Sequence, residues 1–72
     1  MSVVAVVIYG KDSCPYTADA VESYKAKGVA VDYVNVKRDP AAMERMLARS
    51  GGQRRVPVIV DDGKVTIGFG GT

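Results

Sequence analysis

Two hydrophobic periods alternate along this chain of 72 residues. Val3 to Tyr9 is almost continuously apolar and rich in β-branched residues, which predicts a strand covered on both faces and flanked by a neighbour on each side. A polar loop follows, and then Ala20, Val21 and Tyr24 recur at helical spacing, predicting an amphipathic helix. Ser13 is the expected N-cap. Asp19 and Glu22 early and Lys25 and Lys27 late suit the helix macrodipole, and Gly28 ends the element. Val29 to Val36 is the second strand. Val31 and Tyr33 share one of its faces, and Asp32, Val34 and Val36 share the other. A segment of helix length between two strands predicts a parallel βαβ crossover.

Asp39-Pro40 places an N-cap before a proline at the first helical position, opening a second helix that runs to Ser50. Its apolar stripe is Met43, Met46 and Leu47, and Gly51-Gly52 supplies a C-cap with positive φ. Val58 to Asp61 and Lys64 to Phe69 flank Asp62-Gly63, a two-residue hairpin signal. The pattern is therefore βαβαββ in a single domain, residues 1–72.

Composition narrows the function classes. A formal charge of +2 with acids and bases interspersed is too weak to argue for nucleic acid. The first apolar run is too short to span a bilayer, so no membrane partner is expected. With one cysteine and no histidine the chain has neither an internal disulfide nor a metal-binding cluster. Together with the lack of a signal-peptide pattern, this predicts a reducing, cytoplasmic setting.

The single cysteine falls in Lys11-Asp12-Ser13-Cys14-Pro15-Tyr16-Thr17, between the first strand and the first helix. A helix start leaves its first N–H groups unpaired and carries partial positive charge, which favours a thiolate over a thiol. Thiolate is the nucleophilic form, and Lys11 adds a cation nearby. Pro15 fits the first turn because it has no N–H to lose. Thr17 lies one turn on from Cys14, where its hydroxyl can donate to the sulfur but cannot form a disulfide.

Lys-x-x-Cys-Pro-Tyr after a buried strand resembles the active site of glutaredoxins, whose Cys-Pro-Tyr-Cys motif here ends in Thr17. Arg55-Val56-Pro57 is similar to the family's Thr-Val-Pro turn, and Ile67-Gly68-Phe69-Gly70-Gly71 to its Gly-rich segment. The resemblance implies a thioredoxin-like fold with a mixed four-stranded sheet of order 2-1-3-4. It also implies a cis peptide before Pro57, and a third helix after the last strand that this sequence lacks.

The same resemblance implies a monothiol–disulfide oxidoreductase. Cys14, assisted by Thr17, would exchange with glutathione mixed disulfides or with a protein disulfide, glutathione serving as co-substrate and no metal being needed. Lys11, Pro15, Tyr16, Arg55, Val56, Pro57, Gly68 and Phe69 would line the substrate groove, with Arg54 a further cation for the glutathione carboxylates. Where the family has an acidic residue after the Gly-rich segment, this chain has Gly70, Gly71 and Thr72. The closing Gly-Phe is also similar to that of two-cysteine redoxins that reduce ribonucleotide reductase. Two alternatives remain: a glutathione-dependent [2Fe-2S] carrier with one Cys14 from each of two subunits, and a redox-inactive interaction domain. Without a last helix, apolar residues from Val58 to Phe69 are expected to lie partly open and to be covered by a homodimer or another partner.

Overall fold

A computed structural model describes residues 5–61 and 63–69. The elements are β1 (Ala5–Gly10), α1 (Pro15–Ala26), β2 (Ala30–Asn35), α2 (Pro40–Ser50), β3 (Val58–Asp61) and β4 (Lys64–Ile67). They form one sheet of order β2-β1-β3-β4, with β1 parallel to β2 and antiparallel to β3, and β3 antiparallel to β4. This is the βαβαββ arrangement expected from the hydrophobic pattern. Val3 and Val4 of the expected first strand, Asp62 of the hairpin signal, and Gly70, Gly71 and Thr72 lie outside the described residues.

The continuous apolar run of β1 is explained by two cores, one on each face of the sheet. Val6 and Ile8 bury against Ala20 and Ile59, with Val21 and Tyr24 of α1 packed alongside. Tyr9 points the other way, to Val36, Val58 and the α2 residues Ala42 and Met46, with Met43 and Leu47 beside them. The helices therefore cover opposite faces. Complete burial of side chains the size of Ile8 and Met46 stabilises the fold by about 1.5–3 kcal/mol each.

Both helix ends follow backbone chemistry. Gly28, at φ 79°, closes α1 with its N–H donating to Lys25 O while Val29 N–H reaches Tyr24 O. Those bonds add partners to two last-turn carbonyls that otherwise share the Lys27 N–H. Asp39 caps α2 by accepting from Ala41 N–H at 3.1 Å, and Gly51 closes it at φ 71°.

Two expectations are corrected. The residue before α1 in the capping position is Cys14, with φ −96° and ψ 111°, not Ser13. The cause is Pro15, whose ring disfavours helical backbone in the residue before it and so delays the helix by one position. The expected partly open apolar surface on the last two strands lies on the α2 side, where Val60 and Ile67 are half-buried, and not beside α1, where Ile59 is buried. Val58 and Ile59 are fully buried, and Phe69 joins the α1-side core. The pairing of Ile59 with Thr66 and of Asp61 with Lys64 puts polar side chains on the α1-side face of the hairpin. Only Val65, at 36 % exposure on the other face, is a large exposed apolar side chain of β4.

Gly10, the last residue of β1, is required by its neighbour. A Cβ there would lie 2.5 Å from Thr17 Oγ1 and would also collide with Thr17 Cγ2. Gly10→Ala is expected to destabilise the protein by about 1–3 kcal/mol, as overpacking of a tight core does. Urea unfolding checks this, and adding Thr17→Ala should recover much of the loss, so that the two changes are not additive.

Candidate active site

The strand register gathers the sequence motifs at one end of the sheet. Tyr9 pairs with Val58, so Pro57 lies beside the end of β1 from which the cysteine loop departs. Gly68 N–H donates to Pro57 O at 2.7 Å, which ties the glycine segment to the proline turn. The Val56–Pro57 bond is cis, as the motif implied. Pro57 and Gly68 are buried, Val56 and Phe69 half-buried, and Arg54 and Arg55 exposed. Ser50 Oγ donates to Gln53 O at 2.7 Å, anchoring the root of the loop that carries the two arginines.

Lys11 to Cys14 forms a turn closed by Cys14 N–H donating to Lys11 O at 3.2 Å. Cys14 O then accepts from Thr17 N–H at 3.1 Å and from Ala18 N–H at 3.3 Å, starting α1. Cys14 makes no side-chain capping bond, and the residue is 8 % exposed. Pro15 and Tyr16 stand exposed beside it, Tyr16 at 37 %.

Burial acts first on the thiol and pushes its pKa up, since desolvation disfavours the charged form. It is outweighed by the Thr17 hydroxyl, the N–H groups of Thr17 and Tyr16, and the charge of Lys11, so the pKa is lowered overall. Thr17 is not a surface residue: it is 2 % exposed and continues the α1 stripe of buried Ala20 and half-buried Val21 and Tyr24. Its Oγ1 is buried without a hydrogen-bond partner among the described residues. A buried donor left uncommitted beside a sulfur is accounted for if it is made when the sulfur ionises, because a thiolate is the stronger acceptor.

A cavity of about 350 Å³ opens on the β2 side of α1, lined by Lys11, Asp12, Thr17, Ala18, Val21, Glu22 and Tyr33. Of the residues expected from the sequence, it brings together only Lys11 and Thr17. Arg55, Val56, Pro57, Gly68 and Phe69 are not among its walls. Sequence reasoning missed Asp12 and Tyr33. The signal available was the face assignment of β2, which sets Tyr33 on the α1 side, and the parallel pairing of Tyr33 with Ile8 near the end of β1.

Among the described residues no group of acidic, histidine or cysteine side chains could hold a metal ion. No described helix is long and apolar enough to cross a membrane.

Residues 6–66 match the Glutaredoxin family. No curated protein matches the chain. Among solved structures, the thioredoxin-like protein BC3987 is 32 % identical with a TM-score of 0.80, covering 90 % of this chain and 88 % of that one. The glutaredoxin-like protein NrdH-redoxin from Escherichia coli, described as having a thioredoxin-like activity profile, is 26 % identical with a TM-score of 0.77, covering 92 % and 84 %. Buckwheat glutaredoxin in complex with glutathione shares the fold at 24 % identity and a TM-score of 0.73, covering 90 % of this chain and 61 % of that one.

The lowered Cys14 pKa carries a signed prediction. Alkylation by iodoacetamide should rise with an inflection below about 8.5, the value of an unperturbed thiol. Thr17→Val, which keeps the shape but removes the donor, should move that inflection to higher pH and slow the reaction at pH 7. Because the folded thiol titrates below the unfolded one, its contribution to stability is present above the unfolded pKa and is lost as pH falls through the folded one.

Proposed function

The chain belongs to the glutaredoxin family, and on that basis we propose that it is a monothiol–disulfide oxidoreductase acting through Cys14 on glutathione mixed disulfides. The observation that carries this reading is the sulfur's position at the start of α1, where Thr17, two backbone N–H groups and Lys11 together outweigh the cost of burying its charge.

The steps are ordinary thiol–disulfide exchange. Cys14 thiolate attacks the glutathione sulfur of R–S–S–G, a Cys14–glutathione disulfide forms, and R–S⁻ departs. A second glutathione thiolate then attacks the bound glutathionyl sulfur, releasing Cys14 thiolate and oxidised glutathione. No cysteine within the chain can take the place of that second thiol, since Cys14 is the only one.

Each substrate residue has a task in this scheme. The charge of Lys11 favours the thiolate in the resting protein and again as Cys14 becomes the leaving group. Arg54 and Arg55, exposed on the loop that leads to Pro57, are cations suited to a glutathione carboxylate. Pro57 and Gly68 are joined by their hydrogen bond, and the backbone beside Val56 would pair with the peptide-like part of the substrate. Tyr16 offers an aromatic side wall.

Support for glutathione as the thiol comes from the fold shared with buckwheat glutaredoxin, whose structure holds it. The likeness to NrdH-redoxin supports a second reading, in which a protein disulfide is the substrate and a thiol of the partner resolves Cys14.

Mass spectrometry after incubation with oxidised glutathione tests the first reading. One glutathione adduct is expected on the wild type, reversed by excess reduced glutathione, and none on Cys14→Ser. An unmodified Cys14 in the native protein would overturn it.

A further inference from the structure

The cysteine loop is held at a point outside the family motif. Tyr33 of β2 donates its phenol hydrogen to Asp12 Oδ1 at 2.8 Å, and Arg38 lies 3.5 Å from Asp12 Oδ2. Asp12 is the second residue of the Lys11–Cys14 turn, so both contacts pin the corner from which Cys14 is presented. That corner needs an anchor, because α1 begins without any side-chain capping bond. The same turn carries Lys11, whose charge acts on the sulfur.

We propose that Tyr33 is a positioning residue for the thiol chemistry, acting through its hydrogen bond to Asp12 to hold the Lys11–Cys14 turn so that Lys11 and the first N–H groups of α1 stay directed at the sulfur. This deepens the oxidoreductase reading and rests on it. Of the two contacts to Asp12, both at the surface, the phenol bond is the shorter, and Tyr33, at 37 % exposure, is the more enclosed of the two partners. The Arg38 pair joins side chains that are 80 % and 61 % exposed, where an ion pair contributes little.

The phenol is suited to the task over the whole working pH range. Its partial desolvation first, and then the hydrogen bond and charge of Asp12, push its pKa up to about 12, so it remains a donor. The charge of Cys14 also acts on Tyr33, which places the two groups within electrostatic reach of each other. The titratable and charged groups facing the turn are Lys11 and Asp12 on the loop, Tyr33 on β2, Arg38 after β2 and Glu22 across the cavity.

The test is the pH profile of Cys14 alkylation in wild type, Tyr33→Phe, Asp12→Ala and the double variant, with thermal unfolding of each to confirm that it is folded. Tyr33→Phe should move the inflection to higher pH and slow alkylation at pH 7 several-fold. Asp12→Ala should do the same. Its sign is diagnostic, because losing a carboxylate near a thiolate would by charge alone move the inflection down. The double variant should lose no more than the larger single change, as expected of two partners in one contact. An unshifted Tyr33→Phe profile, a slower rate without a shift, a downward shift in Asp12→Ala, or additive losses would each overturn the proposal while leaving the oxidoreductase reading intact. A wild-type inflection at the ordinary thiol value would overturn both.

Discussion

The bond between Cys14 and Pro15 is the constraint on which the active end of the molecule depends. Proline keeps the preceding residue in extended backbone, so Cys14 cannot enter the helix and stands at its entrance instead. Proline also has no N–H to point at the sulfur, which leaves that place to the N–H groups of Tyr16 and Thr17. One ring therefore decides where α1 begins, which amides face the thiol, and why no side chain caps the helix.

The sulfur's chemistry is a contest between burial and donors, and the packing around Thr17 decides it. Thr17 sits against the bare backbone of Gly10, at the end of a strand buried on both faces. A larger residue at position 10 would displace the hydroxyl that the sulfur relies on. The two cores flank the same strand, Val6 and Ile8 facing α1 and Tyr9 facing α2, and the end of that strand carries the loop.

Most of the fold was legible because its signals are local. The β-branched run of β1, the Asp39-Pro40 cap and the Gly51 stop each describe their own segment, and all appear in the structure. The start of α1 was misread by one residue because serine's capping preference was weighed without the stronger effect of the proline two positions on. The open apolar face was misjudged because only strand register shows that Asp61, Lys64 and Thr66 share the α1 side of the hairpin with Ile59, which is itself buried. Cys14, Thr17 and Pro57 were legible through motif spacing. The contact between Asp12 and Tyr33 was not, since 21 positions separate the partners and only the parallel pairing of β1 with β2 brings them together.

If the proposed exchange holds, a lone cysteine also sets what its thiol would respond to. A redoxin with two cysteines closes on itself when oxidised, and its balance with a monothiol RSH and its disulfide RSSR depends on the square of the RSH concentration. In the exchange proposed above, Cys14 would keep half of the disulfide it meets, one RSSR consumed for one RSH released. By mass action its modified fraction follows the simple ratio of RSSR to RSH and is unchanged when the whole pool is diluted. Such a thiol reads the composition of its surroundings and is blind to their concentration.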